Sequence, residues 1–175
     1  MRITLVRHTS TDVPKGVCYG QTDVPLRKSF EDEAAESYLH IKDIEFDKVY
    51  TSPLSRCTKL ADYCGYPDAE RDSRLLEMNF GEWEMKCYDE IDDPNLQTYF
   101  DNYLHTPATG GESFEMQYRR VSEFLDELQK KNAERVAIFT HGGVIACALL
   151  YAKVYTVEEV FYHSAQYGEC VDIRL

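Results

Sequence analysis

The sequence lacks long apolar runs, and nowhere do the roughly 18 unbroken apolar residues of a membrane span occur. It is also short of positive charge. Lys and Arg number 19 against 31 Asp and Glu, which leaves a net charge of −12. A surface of that sign repels nucleic acid and anionic lipid, so neither nucleic acid nor a membrane is an expected partner. Any anionic small molecule would have to be held by a few local cations. The six cysteines (Cys18, Cys57, Cys64, Cys87, Cys147 and Cys170) form no CxxC pair and have no His at zinc-finger spacing. Reduced thiols acting as small hydrophobes are expected of them. There is no phosphate-binding GxxxxGK loop, no run of Asp ligands, no repeat and no Pro/Gly/Ser-rich linker, so residues 1–175 are expected to form one domain. Met1 leads straight into a strand-like segment without signal-peptide architecture, which predicts a cytoplasmic protein.

What is present alternates between two periodicities. Residues 2–7 and 135–140 are short apolar runs of the kind buried on both faces of a sheet, 47–51 suit a third strand, and 170–175 alternate as a final one. Between them lie helical patterns. Residues 29–41 carry a Ser29 cap and an apolar face of Ala34, Ala35, Tyr38, Leu39 and Ile41. Residues 53–64 open on Pro53 after Ser52. Residues 110–131 space Phe114, Tyr118, Val121, Leu125 and Leu128 by fours and threes, behind a Thr109/Glu112 capping box. Residues 142–152 are apolar enough to be a buried helix. The alternation predicts an α/β fold: a three-layer α/β/α sandwich around a mainly parallel sheet. Residues 83–108 are acidic and aromatic with weak periodicity, and read as short helices or a flap at the rim of a site.

Polar residues collect at the three strand-to-helix junctions: Arg7-His8, Thr51-Ser52-Pro53-Leu54-Ser55-Arg56, and Thr140-His141-Gly142-Gly143. In an open α/β sheet, ligands bind at the carboxyl ends of the strands, where helix N-termini also point. If the strands are parallel, two Arg and two His meet there and suit a tetrahedral anion. Each residue alone has a plainer reading, as a cap, a surface ion pair or turn chemistry. The repetition at three junctions is what favours phosphate.

In order along the chain stand Leu5-Val6-Arg7-His8, Gly20-Gln21-Thr22-Asp23-Val24-Pro25-Leu26, Thr51-Ser52-Pro53-Leu54-Ser55-Arg56, Leu76-Glu77-Met78-Asn79-Phe80-Gly81-Glu82-Trp83-Glu84, Gly110-Gly111-Glu112-Ser113 and Thr140-His141-Gly142-Gly143. That order resembles the histidine phosphatase superfamily, with its phosphoglycerate mutase-like fold, over nearly the whole chain. The resemblance implies a phosphomonoester hydrolase working through a phosphohistidine. His8 would be the nucleophile, Arg7, Arg56 and His141 would hold the phosphoryl oxygens, and Glu77 would be the proton donor. Gln21 and Thr22 would add amide or hydroxyl groups to the phosphate. Glu82 and Glu84 rank below Glu77 and read as solvated acids beside Trp83, which is expected to pack at the rim. No cofactor and no metal is implied, since the Arg/His cradle would stand in for Mg²⁺.

The stretch 18–26 and the short chain particularly resemble the α-ribazole phosphatases of cobalamin nucleotide-loop assembly, which makes α-ribazole 5′-phosphate the expected substrate. A broad-specificity phosphomonoesterase is the first alternative, followed by a phosphoglycerate mutase and a non-catalytic phosphate-binding domain. The expected partner is a small phosphorylated metabolite, for a monomer or homodimer. One departure stands out. Thr9-Ser10-Thr11-Asp12-Val13-Pro14 lacks the Asn that many relatives carry there, and Thr9 or Thr11 would have to replace it. Tyr88, Tyr99, Phe100 and Tyr103 in the 83–108 segment would either stack on an aromatic base or simply pack.

Overall fold

A computed structural model describes residues 1–175. Its sheet contains β1 (Arg2–Arg7), β2 (Lys48–Thr51), β3 (Glu70–Arg71), β4 (Arg135–Thr140) and β5 (Cys170–Arg174), in the order β3-β2-β4-β1-β5. All neighbours are parallel except β5, which runs antiparallel to β1 at the edge. The helices are α1 (Phe30–Ile41), α2 (Ser55–Tyr63), α3 (Asn95–Asp101), α4 (Phe114–Leu128), α5 (Gly142–Tyr151) and α6 (Val157–Val160). No helix is long and apolar enough to cross a membrane.

Strand β4 is buried on both faces because its alternate side chains enter different layers. Val136 and Ile138 join Ile3, Leu5 and the apolar faces of α4 and α5, while Ala137 and Phe139 join Val6 and the α1/α2 layer. That is the predicted three-layer arrangement, and cover on both sides accounts for the continuous apolar runs of β1 and β4.

Three local expectations need correction. In α1, Tyr38 and Leu39 are exposed at 40% and 60%. The buried stripe is Ala34, Ser37 and Ile41, at helical spacing. Ser29 stands at the cap position, but its hydroxyl donates to the Glu33 carboxylate (2.6 Å). Helix α2 starts at Ser55, two residues beyond Pro53, because a distant carboxylate supplies its cap: Asp23 accepts from the Ser55 N–H (3.0 Å) and hydroxyl (2.8 Å). Helix α4 is capped by Ser113, whose hydroxyl accepts from the Met116 N–H. The Thr109/Glu112 box does not form, because Glu112 is paired with Arg120 at 2.8 Å instead.

The 83–108 segment holds short 3₁₀ turns at Gly81–Trp83 and Tyr88–Glu90, and then α3. Trp83 packs there, as expected: it is 1% exposed, its indole N–H donates to Asp93 (2.7 Å), and Tyr99 meets it edge-to-face.

Candidate active site

Register brings the three junctions together. Arg7 lies opposite Thr140 across β1 and β4, and Thr51 lies opposite Phe139 across β2 and β4. The ladder runs one residue further, with His8 N–H donating to the Thr140 carbonyl (3.0 Å) and Ser52 N–H to that of Phe139 (2.9 Å). His8, Ser52 and His141 therefore leave the sheet side by side. The ring centroids of His8 and His141 are 5.1 Å apart at 64°.

Hydrogen-bond partners set the two tautomers. The Nδ1 of His8 lies 2.7 Å from the Thr9 carbonyl, which can only accept. In the neutral ring Nδ1 therefore carries the hydrogen, and Nε2 keeps its lone pair. Burial, then the Arg56 and Arg7 guanidinium groups, lower the His8 pKa to about 3. His141 is fully buried, and the same cause followed by Arg56 and His8 holds it well below the usual imidazole range. Its Nδ1 accepts from Arg56 Nε (3.3 Å), and its Nε2 faces the Ser52 hydroxyl (2.8 Å). His141 thus stands behind His8, outside the cavity lining.

Both arginines are held from behind. Arg56 is 0% exposed and donates to His141 and to the carbonyls of Thr22 (3.0 Å) and Gly20. One N–H on each of its terminal nitrogens remains. The Gly20 carbonyl can come this close because a Cβ at Gly20 would stand 1.8 Å from the Met78 carbonyl oxygen. Arg7 donates to the Ala165 carbonyl and lies 4.1 Å from the Tyr167 ring centroid, while its buried Nε has no protein partner. Tyr167 also belongs to a chain of hydroxyls, with Thr11 2.7 Å from Tyr19 and Tyr19 3.1 Å from Tyr167. The Thr9 hydroxyl is buried with no protein partner.

Glu77 faces His8 across the cavity. Its Oε1 accepts from the Met78 N–H (2.9 Å) and from Gln117 Nε2 (3.0 Å), and its Oε2 from the Gly143 N–H (3.2 Å). The helix N-terminus of α5 therefore serves Glu77, much as that of α2 serves Asp23. These two N–H groups are therefore not left for an incoming anion. Arg120 pins the backbone leading to Glu77 by donating to the carbonyls of Arg74 (2.7 Å), Leu76 (2.7 Å) and Glu77 (2.9 Å).

Glu84 is not the solvated acid expected. It accepts from the N–H groups of Gln21 (2.8 Å), Thr22 (2.7 Å) and Phe80 (3.2 Å) and from the Thr22 hydroxyl. Burial opposes its ionisation, but these donors outweigh that and lower its pKa. The side chains of Gln21 and Thr22 are correspondingly occupied, by the Glu77 carbonyl (3.1 Å) and by Glu84, and neither residue lines the cavity. Glu82 does not line it either.

The cavity holds about 330 Å³. Arg7, His8, Arg56 and Glu77 line it together with the apolar or aromatic side chains of Met78, Phe80, Tyr99, Tyr103, Phe114 and Phe161. Tyr99 and Tyr103 come from the 83–108 segment, whereas Tyr88 and Phe100 of that segment pack against each other and do not line the cavity. Phe161 comes from the segment after α6 and meets Tyr103 and Phe114 at 5.1 and 4.9 Å. Sequence reasoning missed Phe161, Gln117 and Arg120. Only Gln117 left a signal: a polar residue on the stripe that Phe114 and Val121 define.

The buried, uncharged imidazoles give a stability signature. A free histidine takes up a proton near pH 6.5, whereas folded His8 resists until about 3. The unfolded chain thus binds more protons in this window, so stability falls as pH falls through it, and His141 adds in the same direction. Unfolding free energies from urea titrations in phosphate-free buffer are expected to drop between pH 6.5 and 5, above the carboxylate range, by about 1.4 kcal/mol per pH unit for each fully resisting ring. His8→Gln should flatten that slope. Equal slopes in the two proteins would rule the reading out.

Comparison with known proteins adds three findings. A family model described as histidine phosphatase superfamily (branch 1) matches residues 3–174. The adenosylcobalamin/alpha-ribazole phosphatases of Escherichia coli K12 and Salmonella typhimurium LT2 are 26% and 27% identical, over 88% and 90% of this chain and 79% and 81% of theirs. The crystal structure of the alpha-ribazole phosphatase from Shigella flexneri superposes with a TM-score of 0.91 at 24% identity, covering 100% of this chain and 91% of that one. That last similarity is one of fold.

Proposed function

Because the chain belongs to the histidine phosphatase superfamily and hydrolyses phosphate monoesters, we propose that it does so through a phosphohistidine on His8, with α-ribazole 5′-phosphate as its substrate. The observation that carries the mechanism is the His8 ring, with Nδ1–H tied to the Thr9 carbonyl and Nε2 unprotonated between two guanidinium groups. In the first step Nε2 attacks phosphorus in line, the bond from phosphorus to the ester oxygen breaks, and Glu77 gives that oxygen a proton. In the second, a water oxygen attacks phosphorus, Glu77 takes one of its protons, and the electron pair of the breaking P–N bond returns to Nε2. Arg7 and Arg56 offset charge on the equatorial oxygens in both steps. His141 acts through Arg56, whose Nε it holds, and Gln21, Thr22 and Glu84 fix the loop that carries the Gly20 and Thr22 carbonyls behind Arg56. Thr9, with its free buried hydroxyl, is the better placed of the two threonines to replace the absent Asn. Thr11 is engaged by Tyr19.

The apolar lining of the cavity supports an alkoxide leaving group that carries an aromatic base. Phe80, Tyr99, Tyr103, Phe114 and Phe161 present faces and edges suited to a flat base. The same lining argues against phosphoglycerate or phosphoserine, whose carboxylates would need a cation beyond Arg7 and Arg56, and the cavity offers none. A broad-specificity phosphomonoesterase is the second reading, favoured by the scarcity of directional polar groups in that lining, because an apolar pocket discriminates weakly.

The test is kcat/KM over a panel of α-ribazole 5′-phosphate, adenosine 5′-monophosphate, ribose 5-phosphate and 3-phosphoglycerate, with and without chelator. The expected result is a preference of roughly tenfold or more for α-ribazole 5′-phosphate over ribose 5-phosphate, unaffected by chelator. Equal values for α-ribazole 5′-phosphate and ribose 5-phosphate would favour the broad enzyme. Absence of turnover on every ester would overturn the mechanism.

A further inference from the structure

Gln117 lies on the buried face of α4 and is 0% exposed, yet its carboxamide reaches the cavity. Its Nε2 donates to Glu77 Oε1 (3.0 Å), and its Oε1 has no protein hydrogen-bond donor. Both ends of the carboxamide crowd the same spot as Glu77: a Cβ on Gly143 would stand 2.9 Å from each of them and 2.3 Å from Glu77 Oε1. An acceptor buried without a donor weakens a fold. A leucine would fit the apolar stripe of α4 without that defect, so packing does not account for a glutamine here.

Resting on the acid–base role given to Glu77 above, we propose that Gln117 is the positioning residue of the acid–base step. Glu77 must be protonated when the ester bond breaks and unprotonated when water attacks. The carboxamide serves both states. Its Nε2 holds the carboxylate by hydrogen bonding, and its Oε1 is the acceptor for the hydrogen of the attacking water that Glu77 does not take. The water is thereby aimed with its oxygen at phosphorus. Because the amide and carbonyl ends sit side by side, a half-turn about the terminal torsion also lets Oε1 accept from the protonated acid.

The experiment compares Gln117→Leu with wild type, and runs Glu77→Gln beside it as the reference for loss of the acid. Two substrates are used: an alkyl phosphate, whose leaving oxygen needs a proton, and p-nitrophenyl phosphate, whose leaving group departs without one. For Gln117→Leu the proposal expects kcat on the alkyl ester to fall about tenfold with KM within about twofold. On p-nitrophenyl phosphate it expects a burst and accumulation of phosphoenzyme, because only the water step is slowed. Glu77→Gln should show the same signature more strongly, and the thermal midpoint of Gln117→Leu should be at or above wild type.

A Gln117→Leu enzyme that matches wild type would overturn the proposal. So would one slowed equally on both substrates without accumulating phosphoenzyme, when Glu77→Gln behaves as expected. If Glu77→Gln itself shows no dependence on the leaving group, the assignment of the acid fails, and this inference fails with it. Should Gln117→Leu fold poorly, Gln117→Met carries the same expectations, as it fills similar volume without the amide.

Discussion

Replacing His8 by Ala is expected to lower turnover by on the order of 10⁴-fold or more on every phosphomonoester. Enzyme quenched in alkaline detergent during turnover of labelled substrate should carry alkali-stable, acid-labile phosphate when wild type, and none after the substitution. Two features of the site make the loss this large. The Nε2 of His8 is a lone pair already free at neutral pH, since burial and the adjacent guanidinium groups keep the ring uncharged down to about pH 3. The other imidazole, His141, is engaged at both nitrogens and stands outside the cavity lining, so it is not placed to substitute. Arg7 and Arg56 survive the change, so inorganic phosphate should still bind His8→Ala with an affinity within about tenfold of wild type. Wild-type enzyme that never carries label in a single turnover would sink covalent catalysis. Phosphate binding lost together with activity would mean that the substitution had collapsed the cradle and removed more than its nucleophile.

Gly143→Ala is expected to lower kcat by about 10²-fold while leaving the fold intact. Gly143 is the second residue of α5, and its N–H is one of the donors that hold Glu77. A Cβ there would sit 2.3 Å from Glu77 Oε1, well inside contact distance, so the carboxylate must move by about an ångström. The obstacle is the end of a flexible side chain, and moving it is cheap for stability. A helical alanine also gains about 0.5–1 kcal/mol over glycine. Activity and stability should therefore part company: the unfolding free energy should stay within about 1 kcal/mol of wild type, and turnover should fall. A Gly143→Ala enzyme with normal kcat would show that the carboxylate's placement against α5 does not matter to the reaction.

The strands were legible because a continuous apolar run such as Val136-Ala137-Ile138-Phe139, too short for a helix, suits little but a strand covered on both faces. The junction residues were legible because parallel strands fix where their ends must meet. What stayed hidden depends on contacts across long sequence separations. Nothing in the neighbourhood of Glu112 announces that it pairs with Arg120 instead of closing a capping box. Nothing near Glu84 shows that it gathers the N–H groups of Gln21 and Thr22, some 60 positions earlier. Arg120, facing three carbonyls, reads in sequence as one more charge on an amphipathic helix. The start of α2 lay hidden for the same reason. Asp23 caps α2 from a loop that precedes α1, and no local rule foresees a cap from so far away. Phe161 and Tyr167 lie in a stretch with weak periodicity, and the aromatic signal of residues 83–108 drew attention away from them. The apolar wall is thus shared between two segments, one of which the pattern did not single out.

Strand β1 finds its hydrogen-bonded neighbours in β4 and β5 alone, with Ile3 opposite Val136 on one side and Ile173 on the other. The earliest strand of the sheet in chain order is therefore among the last to be seated. Ile3, Leu5 and Val6 must wait, unpaired, until residues 135–140 and then 170–174 have been made. The same delay governs the imidazole that follows it, since His8 is tied to the Thr140 carbonyl and Arg7 to that of Ala165. A chain lacking β4 would carry every apolar residue of β1 and no assembled anion cradle.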